Sequence, residues 1–283
     1  MKKFTIKENG FYGYEYKPEI NYLPNKAIIV LGGGGMPFSM TEKMAKYFQN
    51  MGILSIALGY FNVEGTSKYI LETPVEYVER AVSYLKEKDY KVIVYGISKG
   101  AEYALAAASF IKDIDSVIVS SAPSKVCMGV GKNLMWMNQS SWSYKGKPLP
   151  YAYTKASLSS VLHNSLKNRE LTFRDVYKRA FTFSNNDCDI KIENINGSIL
   201  FLSSKIDSMW DSYDCCEEMM ERLKENHFIY PYNHIYFEHA SHVVFPIYFS
   251  LSKIYRSERV YKKECDQMRM DIDCVLRKWI RDC

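Results

Sequence analysis

The chain has 283 residues, 47% of them hydrophobic and 24% charged, a globular composition that excludes extensive disorder and suits one α/β domain carrying an insertion. Its net charge of +5 is spread along the sequence rather than gathered in a basic arm, which reads as mild solvation and sets aside nucleic-acid and membrane partners. Seven cysteines, odd in number and without a CxxC pair, suit a reducing cytosol; with no apolar signal-peptide stretch and no run of about 18 apolar residues, the expectation is a cytoplasmic protein without membrane insertion.

In chain order, residues 4–23 hold short β-rich pieces broken at Pro18 and Pro24, which predict an edge hairpin. Ala27 to Leu31 is a continuous apolar run ending in four glycines, Gly32 to Gly35, as expected of a strand buried on both faces. Pro37 opens a predicted helix to about Asn50, with Met40, Met44, Ala45 and Phe48 on one side and Gly52 stopping it. Ile53 to Leu58 repeats the strand pattern. Thr73-Pro74-Val75-Glu76 reads as a capping box with proline at the first helical position, and Val75, Val78, Val82 and Leu85 recur at helical spacing, predicting a helix over 74–88.

Lys91 to Tyr95 is a further strand, followed by Gly96-Ile97-Ser98-Lys99-Gly100 and an alanine-rich helix from Ala101 to Ile111. Ser116 to Ser120 is another strand. Strands alternating with helices imply right-handed crossovers and a mostly parallel, doubly wound α/β sheet with helices on both faces. From Pro123 to Asn196 the alternation fails: tryptophans, prolines, serines and tyrosines surround one clear helical segment, about Phe173 to Phe181, and 123–196 reads as an insertion or cap over the sheet's C-terminal edge. The rhythm resumes with a strand Ser198 to Leu202, a helix from about Ser212 to Asn226, a strand Asn233 to Glu238 and a terminal helix from Glu258 to Ile280. The whole, 1–283, reads as one domain.

The glycine-flanked serine is a strand-to-helix turn that holds Ser98 out of the sheet and leaves the next N–H free for an oxyanion. A serine hydroxyl is a poor nucleophile at neutral pH and needs a base, which in turn needs an orienting carboxylate. Both follow at strand ends and in the order such a turn requires: Asp207 after Leu200-Phe201-Leu202, then a histidine after Ile235-Tyr236-Phe237. Of His234, His239 and His242, the last is favoured because it follows a small residue and precedes the apolar Val243-Val244-Phe245. The tetraglycine supplies a second oxyanion donor, Gly33 or Gly34, beside the Lys99 N–H. The rival reading of the three histidines as metal ligands lacks a helical HExxH, so neither metal nor cofactor is expected. Glu102, on the elbow helix, leaves a buried hydrogen-bonding role and a solvated one both open.

The run LGGGGMPFSMTEKMAKYFQNMGILSIALGYFNVEG, the elbow GISKGAEYAL, then FLSSKIDSMWDS and HASHVVFPIYF, resemble the C-terminal catalytic domain of the acyl-CoA thioesterase and bile acid-CoA:amino acid N-acyltransferase family. The resemblance implies an α/β-hydrolase fold with nucleophile Ser98, acid Asp207 and base His242. Animal members carry an N-terminal β-sandwich domain for which these residues leave no room. Amino-acid-transferring members use cysteine as nucleophile, so Ser98 implies hydrolysis of an acyl thioester such as an acyl-CoA; the alternatives are a carboxylester or dienelactone-type hydrolase, an N-acyltransferase, or a silent binding fold. Residue composition suggests a bacterial source, and the expected partner is a small acyl-CoA or ester, with a monomer or small homo-oligomer as the assembly.

Overall fold

Runs of β-branched and apolar residues long enough to be buried on both faces form the centre of the molecule. The computed structural model describes residues 1–132, 135–249, 251 and 253–283; residues 133 and 134, inside the expected insertion, and residues 250 and 252 lie outside the described residues. Strands β1 (Lys2–Phe4) and β2 (Tyr12–Tyr16), joined through a single helical turn α1 (Ile6–Asn9), form the expected antiparallel edge. They add to β3 (Lys26–Leu31) and β4 (Leu54–Gly59), whose side chains are all buried. Helix α2 (Phe38–Asn50) joins these two strands and buries Met44, Ala45 and Phe48.

The capping box does not form. Thr73–Pro74 is instead a two-residue strand, β5, and helix α3 (Glu76–Lys86) starts later with Val75 before it and no side-chain cap. The reason is tertiary: Thr73 N–H donates to the Ser141 carbonyl and Val75 N–H to that of Ser143, so the segment joins the insertion rather than closing on itself. The helix itself and its buried stripe, Val78, Ala81, Val82 and Leu85, are as the spacing predicts.

Strand β6 (Lys91–Ile97), helix α4 (Lys99–Phe110) and strand β7 (Ser116–Ser120) carry the chain across the sheet's centre. The insertion follows with β8 (Met128–Val130), β9 (Trp136–Ser140), β10 (Trp142–Tyr144), β11 (Lys147–Pro148), and helices α5 (Leu158–Asn168) and α6 (Arg174–Thr182). Among its described residues it therefore holds two α-helices where one was legible. The chain then returns through β12 (Ser198–Ser204), α7 (Ser212–Glu225), β13 (Tyr232–Phe237), a single turn α8 (Ser257–Val260) and the terminal helix α9 (Lys262–Asp282).

The large sheet runs β1-β2-β4-β3-β6-β7-β12-β13, parallel at every pairing from β4 onward. Two apolar layers cover it. On one face α3, α4 and α7 pack against Ile29, Val94, Val117 and Phe201; on the other α2 and α9 bury Met44, Phe48, Met268, Ile272 and Leu276 against Ile28, Tyr95 and Leu200. Strand ends with buried flanks leave one open edge, where the loops carrying Ser98, Asp207 and His242 emerge. Among the described residues no helix is long and apolar enough to cross a membrane.

Candidate active site

Ser98 stands between β6 and α4 with φ 58° and ψ −123°, a backbone state that residues with a side chain rarely adopt. The turn is fixed from three sides: Ser98 N–H donates to the Ser120 carbonyl at 2.9 Å, and Ala101 and Glu102 N–H donate to the Ser98 carbonyl at 2.9 and 3.1 Å. Both flanking glycines are sterically required. A Cβ on Gly96 would lie 2.2 Å from the Gly100 carbonyl oxygen, and one on Gly100 would lie 2.4 Å from the carbonyl oxygens of both Leu31 and Gly32.

The three residues picked from sequence order meet. Ser98 Oγ lies 2.8 Å from His242 Nε2, and His242 Nδ1 lies 2.9 and 2.8 Å from the two oxygens of Asp207. A carboxylate can only accept, so the Nδ1 proton faces Asp207 and Nε2 is left to accept from the serine. Asp207 is buried just past β12 and also accepts from Met209 N–H at 2.8 Å. His242 sits in the loop after β13, where Ser121 Oγ donates to its carbonyl at 2.8 Å and the Trp210 ring stands edge-on at 4.8 Å. Behind the loop, Ser241 Oγ donates to Glu258, whose carboxylate takes two bonds from Arg269 at 2.8 and 2.7 Å in a buried pair.

The glycine loop closes over the serine. A Cβ on Gly33 would come within 3.2 Å of Ser98 Cβ, and one on Gly34 within 2.9 Å of Lys99 Cγ, so the backbone itself approaches the elbow. Lys99 opens α4, and the first N–H groups of a helix have no acceptor within it. Gly33 N–H points at the Met36 sulfur, 3.4 Å away, a weak acceptor.

The Lys99 side chain has a separate duty that sequence reasoning did not reveal. It is buried, with Nζ donating to Glu102 Oε2 and to Ser141 Oγ, each at 2.6 Å, and lies 5.2 Å from the centre of the Trp142 ring. Glu102, fully buried, accepts from Cys127 N–H at 2.7 Å and from the Trp142 indole N–H at 2.8 Å. Of the two roles left open for Glu102, the structure holds the buried one: it ties the elbow helix to the insertion. No local pattern could signal this, because its partners are 25 and 40 residues away.

A cavity of about 290 Å³ opens on Ser98 and His242. Its walls are mainly apolar and aromatic, including Met40, Trp136, Phe173, Tyr177, Trp210 and Tyr255. Burial pushes the Tyr177 and Tyr255 hydroxyls well above the ordinary phenol range, so these two side chains stay neutral. A larger groove of about 720 Å³ lies along α4 and residues 185–191, but none of the three converging residues reaches it. Cys127 and Cys216 are buried thiols raised far above their usual range by desolvation, and Cys215 is pushed up to about 12, which makes them poor nucleophiles.

The histidines weighed as metal ligands go to separate places. His239 stacks on Tyr261 at 4.2 Å, whereas His234 lies between Ser203 Oγ, 2.7 Å from Nε2, and Glu217, 2.5 Å from Nδ1.

Residues 73–265 match the family described as BAAT / Acyl-CoA thioester hydrolase C terminal. The chain belongs to this family. Among curated relatives of the BAAT/acyl-CoA thioester hydrolase family, it is 29% identical over 224 residues to mouse acyl-coenzyme A thioesterase 2, mitochondrial, covering 77% of this chain and 44% of the relative. It is 28% identical over 240 residues to human acyl-coenzyme A thioesterase 1, covering 83% of this chain and 52% of the relative. The chain thus spans about half the length of the curated relatives it matches. The fold is that of the α/β hydrolases. An esterase from Pyrococcus furiosus superposes with a TM-score of 0.52 at 15% identity, covering 99% of this chain and 98% of that one. The 2,6-dihydroxy-pseudo-oxynicotine hydrolase gives 0.57 at 13% identity, covering 99% of this chain and 66% of that one.

Proposed function

We propose that this chain hydrolyses acyl thioesters, acyl-CoA among them, through an acyl-Ser98 intermediate. The observation that carries the reading is the unbroken line Asp207, His242, Ser98, ending at a serine in a strained turn on the floor of an apolar cavity. His242 Nε2 takes the hydroxyl proton as Ser98 Oγ attacks the thioester carbon; Asp207 holds the imidazole in the tautomer that can accept it. The oxyanion is received by the N–H of Lys99 and that of Gly33 or Gly34, and His242 then protonates the departing thiolate. In the second half His242 activates water, which attacks the acyl carbon; the Ser98–acyl bond breaks and the serine regains its proton.

Serine rather than cysteine at the crest favours water as the final acceptor, and membership of a thioesterase family supports a thioester as the bond cleaved. In this reading 1–283 acts as one domain in which residues 123–196 cap the site, a reading supported by Trp136, Phe173 and Tyr177 lining the same cavity as Ser98. The seven unpaired cysteines fit the cytoplasmic side of a cell, which subcellular fractionation tests. The functional test is release of CoA thiol from a panel of acyl-CoAs by the wild type and by Ser98→Ala. The variant should lose at least about 10³-fold in kcat with an unchanged melting curve. Undiminished turnover would overturn the assignment.

A further inference from the structure

Helix α5 is built inside out. Leu158, Leu162 and Leu166 recur at i, i+4 and i+8, which places them on one stripe of the helix, and they are 59%, 61% and 70% exposed. The face turned toward the protein is the polar one: Asn164 donates to Asp175 on α6 at 2.6 Å, and Ser165 Oγ accepts from Thr172 N–H at 3.2 Å. Val161 alone packs toward the core, and no residue of the helix is buried. Three leucines held in water on a helix that small polar side chains anchor are the pattern of a surface with a missing partner.

The charge of the stretch that carries α5 and α6 says which kind. Between residues 155 and 183, Lys155, Lys167, Arg169, Arg174, Lys178 and Arg179 stand against only two carboxylates, Glu170 and Asp175, and all six cations are exposed. Arg174 shares its charge with Asp211; the others leave a local surplus in a molecule whose net charge is only +5. Averaged over the whole chain this surplus is invisible, which is why composition read as mild solvation. Two copies meeting through this face would bring like charges together, so a second copy is disfavoured. An anionic layer with an apolar interior satisfies both features at once, the cations at the head groups and the leucines below them.

We infer that α5, within the basic stretch 155–179, docks the cap on an anionic phospholipid surface. The stripe also leads toward the cavity: just beyond α5, Leu171 and Ile254 both line it, are themselves 37% and 38% exposed, and are joined by a backbone hydrogen bond of 3.1 Å. A docked cap thus places the cavity mouth at the lipid boundary. The inference rests on the helix face and its charge, and it stands whether or not Ser98 is the nucleophile.

The test is co-sedimentation of the full chain with vesicles of phosphatidylcholine alone and of equal parts phosphatidylcholine and phosphatidylglycerol. The expected result is binding to the anionic vesicles only, weakening as salt is raised. The triple variant Leu158→Ser, Leu162→Ser, Leu166→Ser should lower the partition coefficient about a hundredfold or more, and Lys155→Glu with Lys167→Glu and Lys178→Glu should abolish binding. Because none of these residues touches the cavity, hydrolysis of a water-soluble short-chain ester should be unchanged, which shows that the variants are folded. Absence of vesicle binding by the wild type, or binding indifferent to the leucines, would overturn the inference. So would a wild-type dimer that the leucine variant converts to monomer, which would assign the stripe to a second copy.

Discussion

Two sets of serine, histidine and carboxylate occur in this molecule with nearly the same spacing. In one, His242 lies 2.8 Å from Ser98 and 2.8 Å from Asp207; in the other, His234 lies 2.7 Å from Ser203 and 2.5 Å from Glu217. The difference lies in what surrounds them. Ser98 sits on a strained turn beside a cavity, next to the start of α4 and the close-packed glycine loop. Ser203 is fully buried near the end of β12, opposite Tyr236 in a regular ladder, and does not line the cavity that holds Ser98. Three groups in line can move a proton, but a reaction also needs room for the acyl carbon and donors aimed where charge develops.

The comparison breaks most sharply at the serines. Ser98→Ala should abolish acyl-CoA hydrolysis, whereas Ser203→Ala should change kcat/KM by less than about twofold, as steady-state kinetics on the same substrate would show. At the carboxylates, Asp207→Asn should cost about 10⁴-fold in kcat by presenting the wrong imidazole tautomer. Glu217→Gln should leave kcat essentially as it is. Equal losses from both substitutions would mean that the second set takes part in turnover.

The support beneath Ser98 carries the next effect. Glu102→Gln keeps the shape of the network but leaves the Lys99 ammonium buried without its counter-charge, and should lower stability by about 3 kcal/mol in denaturant unfolding. The smallest effect belongs to His234. Burial lowers its pKa below the ordinary 6.5, so the unfolded chain binds the proton more readily than the folded one. Stability should therefore fall as pH drops below about 6.5 and level off once the folded-state value is passed; His234→Gln should flatten that part of the melting-temperature profile.

Sequence exposed one of these sets and concealed the other for a physical reason. Parallel strands buried on both faces read as unbroken apolar runs, so β3, β4, β6, β7 and β12 were legible; Ser98 and Asp207 each follow such a run and His242 follows the half-exposed edge strand β13, in the order the turn requires. Ser203 and His234 lie within strands and meet Glu217 only across the β12, β13 and α7 packing, which no spacing rule describes. The same limit hid the partners of Glu102. Thr73-Pro74 misled because a local cap competed with pairing to the insertion, and the tertiary pairing won. Helix α5 escaped because its leucines face outward, so the periodicity marks no core.

The central claim, that surroundings rather than triad spacing select Ser98, is tested most directly by locating a covalent label. A fluorophosphonate incubated with the native protein, followed by proteolysis and mass spectrometry, should place a single adduct on Ser98. The adduct should vanish in Ser98→Ala and persist in Ser203→Ala. An adduct on Ser203, or a native protein that takes no label at all, would contradict the account.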